Sequence, residues 1–101
     1  MNPLQILNQS GFPWAYRQWK EPPPLPYGVY YMAHTNNFAA DGIVYSSTTR
    51  YILELYTENK QPEIEATLET ALTAAGIYWE KTGEDYIETE QMQFTTYEIE
   101  V

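Results

Sequence analysis

The chain has no cysteine, one histidine and only five basic residues in 101. Each shortage removes a class of function. Without cysteine there is no disulfide framework and no thiolate metal site. His34 has no thiol to activate, and no Gly-x-Ser-x-Gly turn offers it a serine, so the sequence points away from an enzyme. Five lysines and arginines cannot neutralise a run of phosphates, so specific nucleic-acid binding is not expected. The longest apolar run, Tyr27 to Ala33, is far short of the roughly 20 residues a helix needs to cross a bilayer. The start, MNPLQIL, lacks the basic and apolar regions of a secretory signal. The expectation is a single domain, 1–101, made in a cytoplasm, with no membrane contact and no cofactor. Asp85, Glu88 and Glu90 could offer oxygens to a hard cation, but they lack the glycine-centred loop of a calcium site, and no metal is expected.

What the chain has in quantity is acid and aromatic surface. Residues 1–50 set Arg17, Lys20 and Arg50 against Glu21 and Asp41, a net of +1. Residues 51–101 set Lys60 and Lys81 against twelve carboxylates, a net of −10. The acids read first as a solvated surface. Ten tyrosines and three tryptophans are more than so small a core usually takes. They either line a sheet or serve subunit contacts that are half apolar and half wet.

The element signals run as follows. Asn2 and Pro3 open a short helix carrying Leu4 and Leu7 on one face, with Gly11 as its stop. Trp14 to Trp19 reads as a strand. Prolines 22, 23, 24 and 26 then forbid a ladder, and this extended segment is taken as a stiff connection, with a recognition ligand as the alternative. Tyr27 to Ala33 is the second strand. Ile43 to Tyr45 is extended, Ser46 to Thr49 a turn or irregular edge. Arg50 to Thr57 alternates, with Tyr51, Leu53 and Leu55 on one face and Arg50, Ile52, Glu54 and Tyr56 on the other. Pro62 begins the main helix after a poor cap at Gln61. Ile64, Leu68, Ala71, Leu72 and Ala75 form its apolar stripe, and Gly76 and Ile77 close it. Ile77 to Thr82 and Glu90 to Val101 read as the last strands, with the turn at Gly83-Glu84-Asp85. Met92 and Phe94 lie in one parity, Tyr97, Ile99 and Val101 in the other. Either a bulge near Thr95-Thr96 reconciles them, or the strand is covered on both faces, once by another subunit. The sum is an α+β fold: a mainly antiparallel sheet with one long helix and a short N-terminal helix packed on it.

The stretch His34 to Gly42 is longer than the two-residue turn a hairpin requires. It reads as a polar loop that orders against a neighbour, with Phe38 as anchor. The alternative is a long hairpin whose Phe38 folds back on its own sheet. Asn36, Asn37, Phe38, Asp41 and Gly42, with Ile52 and Tyr56 on the sheet face away from the main helix, are the candidate assembly interface.

The segments LPYGVYYM, NNFAADGIVY, YILELYTENKQPEIEATLETALTAAGIYWEK and YIETEQMQFTTYEIEV together resemble a small structural protein of tailed phages of Gram-positive bacteria. The pattern is similar to that of tail-terminator or tail-completion proteins of long, flexible, non-contractile tails. It covers Leu25 to Val101, and none of its motifs is catalytic. The resemblance implies a head–tail joining protein: a ring, hexameric in the assembled tail, that caps the head-proximal end of the tail tube. Its implied partners are copies of itself, the major tail tube protein and the head–tail connector. Its implied location is the host cytoplasm during assembly and then the virion tail. On that reading Glu80, Glu84, Asp85, Glu88 and Glu90 are candidates for an acidic lumen or outer surface, which would keep passing DNA from sticking. A peptide-binding module or another connector component remains the alternative.

Overall fold

The computed structural model describes the backbone of residues 2–40 and 43–101 and the side chains of residues 2–37 and 47–101. Its elements are α1 (Leu4–Asn8), β1 (Trp14–Tyr16), β2 (Tyr27–Ala40), β3 (Ile43–Thr57), α2 (Pro62–Ala74), β4 (Tyr78–Ile87) and β5 (Met92–Glu100). The strands form one sheet in the order β1-β2-β3-β5-β4. Only the short β1–β2 pair is parallel. The α+β expectation therefore holds. The main helix is of ordinary length, 13 residues.

The N-terminal segment locks onto the sheet through one tryptophan. Asn2 Oδ1 accepts a hydrogen bond from Leu4 N–H at 3.0 Å, capping α1 as its sequence suggests. Leu7 is fully buried. Ser10 Oγ donates to the Leu7 carbonyl at 2.6 Å and accepts from Trp14 Nε1 at 3.1 Å. The Trp14 indole lies flat against Gly28, its partner across the ladder, where any Cβ would collide with the ring. The strand expected to reach Trp19 stops at Tyr16. Arg17 takes a left-handed backbone, φ 70°, which ends the ladder. The chain then crosses to the other face of the sheet, where Trp19 Nε1 donates to the Gly28 carbonyl at 3.0 Å.

The largest departure from the sequence reading is at the polar stretch. It is no loop: β2 and β3 stay paired from His34↔Arg50 out to Ala40↔Ile43. Ser46 to Thr49, expected as a turn, belongs to the same ladder. Polar residues read as loop because loops usually are polar, but a two-stranded ribbon that packs on no core selects only weakly for apolar residues, and threonine suits a strand. Register shifts between Met32 and His34 and between Phe38 and Ala39 mark bulges. Thr49 exchanges two backbone hydrogen bonds with Val101, at 2.8 and 3.0 Å. Past that point no third strand accompanies the ribbon among the described residues, and at strand rise it runs on for about 20 Å. The molecule measures 52 Å along its longest axis against 27 and 22 Å.

β4 also runs through the expected turn at Gly83-Glu84-Asp85 and reverses at residues 88–91 instead. A register shift between Lys81 and Gly83 absorbs the irregularity. β5 carries no such shift against β3, so its two parities are two faces. Thr95, Tyr97 and Ile99 are fully buried, while Met92 and Phe94 stand half-buried on the opposite side.

The core lies between the sheet and the helices. Leu53, Leu55, Tyr97 and Ile99 meet Leu68 and Leu72 of α2 and Leu7 of α1, all without solvent exposure. Of the expected stripe, Ile64 packs at the rim, but Ala75 is exposed beyond the helix end. Gly76, φ 74°, ends α2 and lets Ile77 N–H donate to the Leu72 carbonyl at 3.0 Å.

Glu65 is the surprise on α2. It sits in the first turn, where a carboxylate favours the helix dipole, yet it is only 2% exposed. Lys60 and Lys81 both reach it, at 2.9 and 2.8 Å. Lys81 also bonds Glu69 at 2.7 Å and lies over the Tyr97 ring. Tyr97 in turn donates to Glu69 at 2.7 Å. Burial opposes the charge on Glu65, but hydrogen bonds from Lys81 and Lys60 outweigh it and hold its pKa below 4.5. A depressed carboxylate stabilises the fold fully above its unfolded pKa, and that contribution fades as pH falls through the lower folded value.

Two outcomes follow from this packing. Leu68→Ala should cost roughly 2–5 kcal/mol in denaturant melts; a loss below about 1 kcal/mol would place that helix face outside the core. Stability should fall on acidification below about pH 4.5. Glu65→Gln should flatten that slope while costing about 1–3 kcal/mol at neutral pH. Parallel acid profiles in the two proteins would contradict the assignment.

Candidate functional site

The helices cover one face of the sheet. The other carries a second apolar layer that is only partly covered. Along it, Tyr27 stacks on Tyr56 with ring centroids 5.2 Å apart, and Tyr56 meets Phe94 at 5.7 Å. Trp19 closes edge-on against Tyr27 at 6.2 Å. Tyr31 and Ile52 continue the layer as a cross-strand pair. Glu54 stands in the middle and is tied down: Tyr56 Oη donates to it at 2.8 Å and Tyr31 Oη at 3.4 Å. Burial, followed by the bond to Glu54, pushes the Tyr56 phenol well above its ordinary pKa, so it stays a neutral donor.

At one end of this layer the N-terminal segment builds a wall. Trp19 and Pro22 to Pro24 stand over a floor of Tyr27, Tyr56 and Met92, leaving an open groove of about 740 Å³. Arg17 and Glu90 lie at its rim. The proline run thus does more than connect two strands: it makes one side of a concave, mostly apolar surface. At the other end of the sheet the ribbon departs. There Arg50 pairs with Glu98 and Glu100 at 3.3 and 3.7 Å, and Asn36 Nδ2 donates to Glu100 at 2.7 Å.

Of the expected interface residues, Ile52, Tyr56 and Asn36 share the open face. Asn37 is exposed on the ribbon. Asp41, Gly42 and the Phe38 side chain lie outside the described residues. His34 is an exposed ribbon residue opposite Arg50. The five acids lie along one edge of the sheet, on both of its faces. Glu80, Glu84 and Asp85 lie on β4, the free edge strand, and Glu88 and Glu90 in the turn that follows, all exposed. Glu84 bonds Lys60 at 3.1 Å and Gln93 at 2.9 Å, and Glu80 accepts from the Tyr78 hydroxyl. Residues that the sequence reading left unassigned complete the site: Trp19, Tyr27, Tyr31 and the proline wall. The parity of Met92 and Phe94 was the available signal, since an apolar strand in both parities has to be covered twice.

These observations define an α+β domain with one closed face, one open aromatic face and a projecting ribbon. No protein-family model matches the chain, and no curated protein matches it in sequence. In fold it is similar to a chain of the solved structure "Virion of native gene transfer agent (GTA) particle". The TM-score is 0.52 at 8% sequence identity, over 85% of this chain and 75% of that one. At that identity the likeness is one of fold alone.

The two faces should respond differently to truncation. Leu53→Ala, on the closed face, should cost roughly 2–5 kcal/mol, and Ile52→Ala, one residue before it and only partly buried, about 1 kcal/mol. Equal losses in urea melts would mean that the second face is as fully packed as the first.

Proposed function

We propose that the chain is a structural subunit of a phage-type virion, acting where tail meets head. In this reading it forms a ring, hexameric in the assembled tail, on the head-proximal end of the tail tube. It stops tube growth and offers a surface to the head connector. Its partners are its own copies, the major tail tube protein and the connector protein. It works without cofactor or catalysis, does not bind nucleic acid specifically and does not enter a membrane. It passes from host cytoplasm to virion tail, in phages of Gram-positive hosts.

The fold likeness to a virion chain, spanning most of both chains, is the observation that carries this reading. The surfaces agree with it. A ring subunit needs two unlike contact faces, and this one has an open aromatic face and a ribbon that projects from the far end of the same sheet. The acidic edge at β4 suits a wall past which DNA has to slide.

The groove favours one other reading, a peptide-binding module in which the proline wall and Trp19 clamp an extended segment. Tight binding of one partner by the monomer, without any ring, would support that alternative.

Deleting the gene from its parent phage separates the two. Loss of a tail terminator should leave tail-less heads and tubes of uncontrolled length under the electron microscope. Normal particles that lack the protein would overturn the proposal. In native mass spectrometry the dilute protein should be mainly monomeric, because a subunit of this size has a modest interface to set against the entropy of association. A stable two-fold dimer retained in the tail would contradict the ring.

A further inference from the structure

The groove of the open face sets aromatic rings beside a carboxylate that no cation of the chain answers. Trp19, Tyr27 and Tyr56 line it, and Glu90 stands at its rim. Glu90 is exposed, and among the described residues it has no hydrogen-bonded or ion-paired partner. Burial, and after it the charge of Glu90, push the Tyr27 phenol above its ordinary pKa, so that charge is felt at the groove floor. The sheet beside the groove adds to it: Asp85 lies opposite Phe94, and Glu80 opposite Glu98. We propose that the groove receives an extended, basic segment of a different protein, with apolar or proline residues on the floor and a lysine or arginine at Glu90. The proposal deepens the virion reading and rests on it only for where the partner is met.

The fold already makes this contact twice with its own residues. On the closed face Lys81 Nζ lies 5.7 Å from the centre of the Tyr97 ring and bonds Glu65 and Glu69 at 2.8 and 2.7 Å. On the open face the Arg17 guanidinium lies 5.5 Å from the centre of the Tyr31 ring, whose hydroxyl donates to Glu54 at 3.4 Å. Each is a cation on a ring with a carboxylate near by, an arrangement favourable by quadrupole and charge together. The groove offers ring and carboxylate and leaves the cation to the occupant. Arg17 also lines the groove, but its charge is committed to Tyr31, so the occupant's cation belongs on the Glu90 side.

Charge rules out a second copy as the source of that cation. Lys60 and Lys81 are held by Glu65, Glu69 and Glu84, Arg50 by Glu98 and Glu100, and Arg17 by Tyr31. Among the described lysines and arginines only Lys20 has no such contact. A copy would bring that one cation on a body of net charge −9. The shape of the groove points to an extended segment. Pro22 to Pro24 offer no backbone N–H, so the wall cannot extend a ladder and holds its occupant through side-chain contact. Aromatic grooves of this kind take extended and polyproline segments, in which apolar residues alternate with solvated ones. Ile87 and Met92 give such residues an apolar seat beside Glu90.

The test is a selection from a library of random peptides displayed on yeast, with the intact protein as bait. The peptides recovered should carry lysine or arginine next to proline or aliphatic residues. One of them, titrated into isotope-labelled protein, should shift the indole N–H signal of Trp19 and leave those of Trp14 and Trp79 in place. Glu90→Lys should weaken its binding about tenfold with no change in melting temperature. Glycine and serine in place of its proline and aliphatic residues should weaken it by a similar factor. No enrichment, or enrichment of neutral or acidic peptides, would overturn the proposal. So would binding indifferent to Glu90→Lys, or a glycine-serine peptide that binds equally well, which would reduce the contact to diffuse attraction. Immunogold labelling of tails keeps the two readings apart. A protein found at the tail end that recovers no basic peptide keeps its virion role and loses this contact. A protein that binds such peptides at Trp19 but is absent from virions does the reverse.

Discussion

On β5, Tyr97 and Ile99 point at the helices while Met92 and Phe94 point the other way, and β3 does the same with Leu53 and Leu55 against Ile52 and Tyr56. A sheet that is apolar on both sides has to be covered twice, because each exposed aromatic forfeits the roughly 25 cal/mol per Å² that burial would return. Among the described residues the helices cover one side only. The N-terminal segment spends its prolines and Trp19 on one end of the other side, and the rest stays half-bare. The α1 anchor, the Trp14–Gly28 contact and the crossing at Arg17 all serve that partial second cover. The same constraint leaves apolar area uncovered on the open face, and in the proposed assembly that area is available to a neighbouring subunit.

Electrostatics decides where that contact can form. The carboxylates sit mainly on α2, β4 and the turn after β4, and those near the core each have hydrogen-bonded partners. Glu65 and Glu69 are held by Lys60, Lys81 and Tyr97, and Glu54 by two tyrosine hydroxyls. What carries least charge is the ribbon, whose one acid is Asp41. Copies of so acidic a protein meet through surfaces of that kind or not at all, and a long edge lined by Glu80, Glu84 and Asp85 discourages uncontrolled strand pairing there.

Much of this was legible in the sequence. Period-two alternation in residues 50–57 assigned both faces of β3, and the spacing of Leu68 and Leu72 with Gly76 behind them gave α2 and its end. The class α+β followed from the order of elements. Four features were not legible, each for a physical reason. The ribbon was hidden because strand propensity is weak where both faces are wet, so Thr35 to Asn37 and Ser46 to Thr49 resembled loop. Gly83 looked like a turn because a glycine beside a bulge and a glycine in a turn carry the same local signal. The groove wall was hidden because a proline run reports only that it is extended, and what it packs against is decided by Trp19 and Tyr27 across the fold. The burial of Glu65 was hidden because nothing local announces that Lys81, sixteen residues on, returns to meet it.

The central claim is that the β2–β3 ribbon and the open face are surfaces completed by other subunits. Amide hydrogen exchange, followed by mass spectrometry on the free subunit and on intact tails, tests it most directly. The account predicts rapid exchange at Thr35 to Asn37 and Ser47 to Thr48 in the free protein, where only two strands pair. It predicts protection there, and at Trp19 to Leu25, once the particle is assembled. Equal exchange in both states, with the ribbon as open in the tail as in solution, would contradict it.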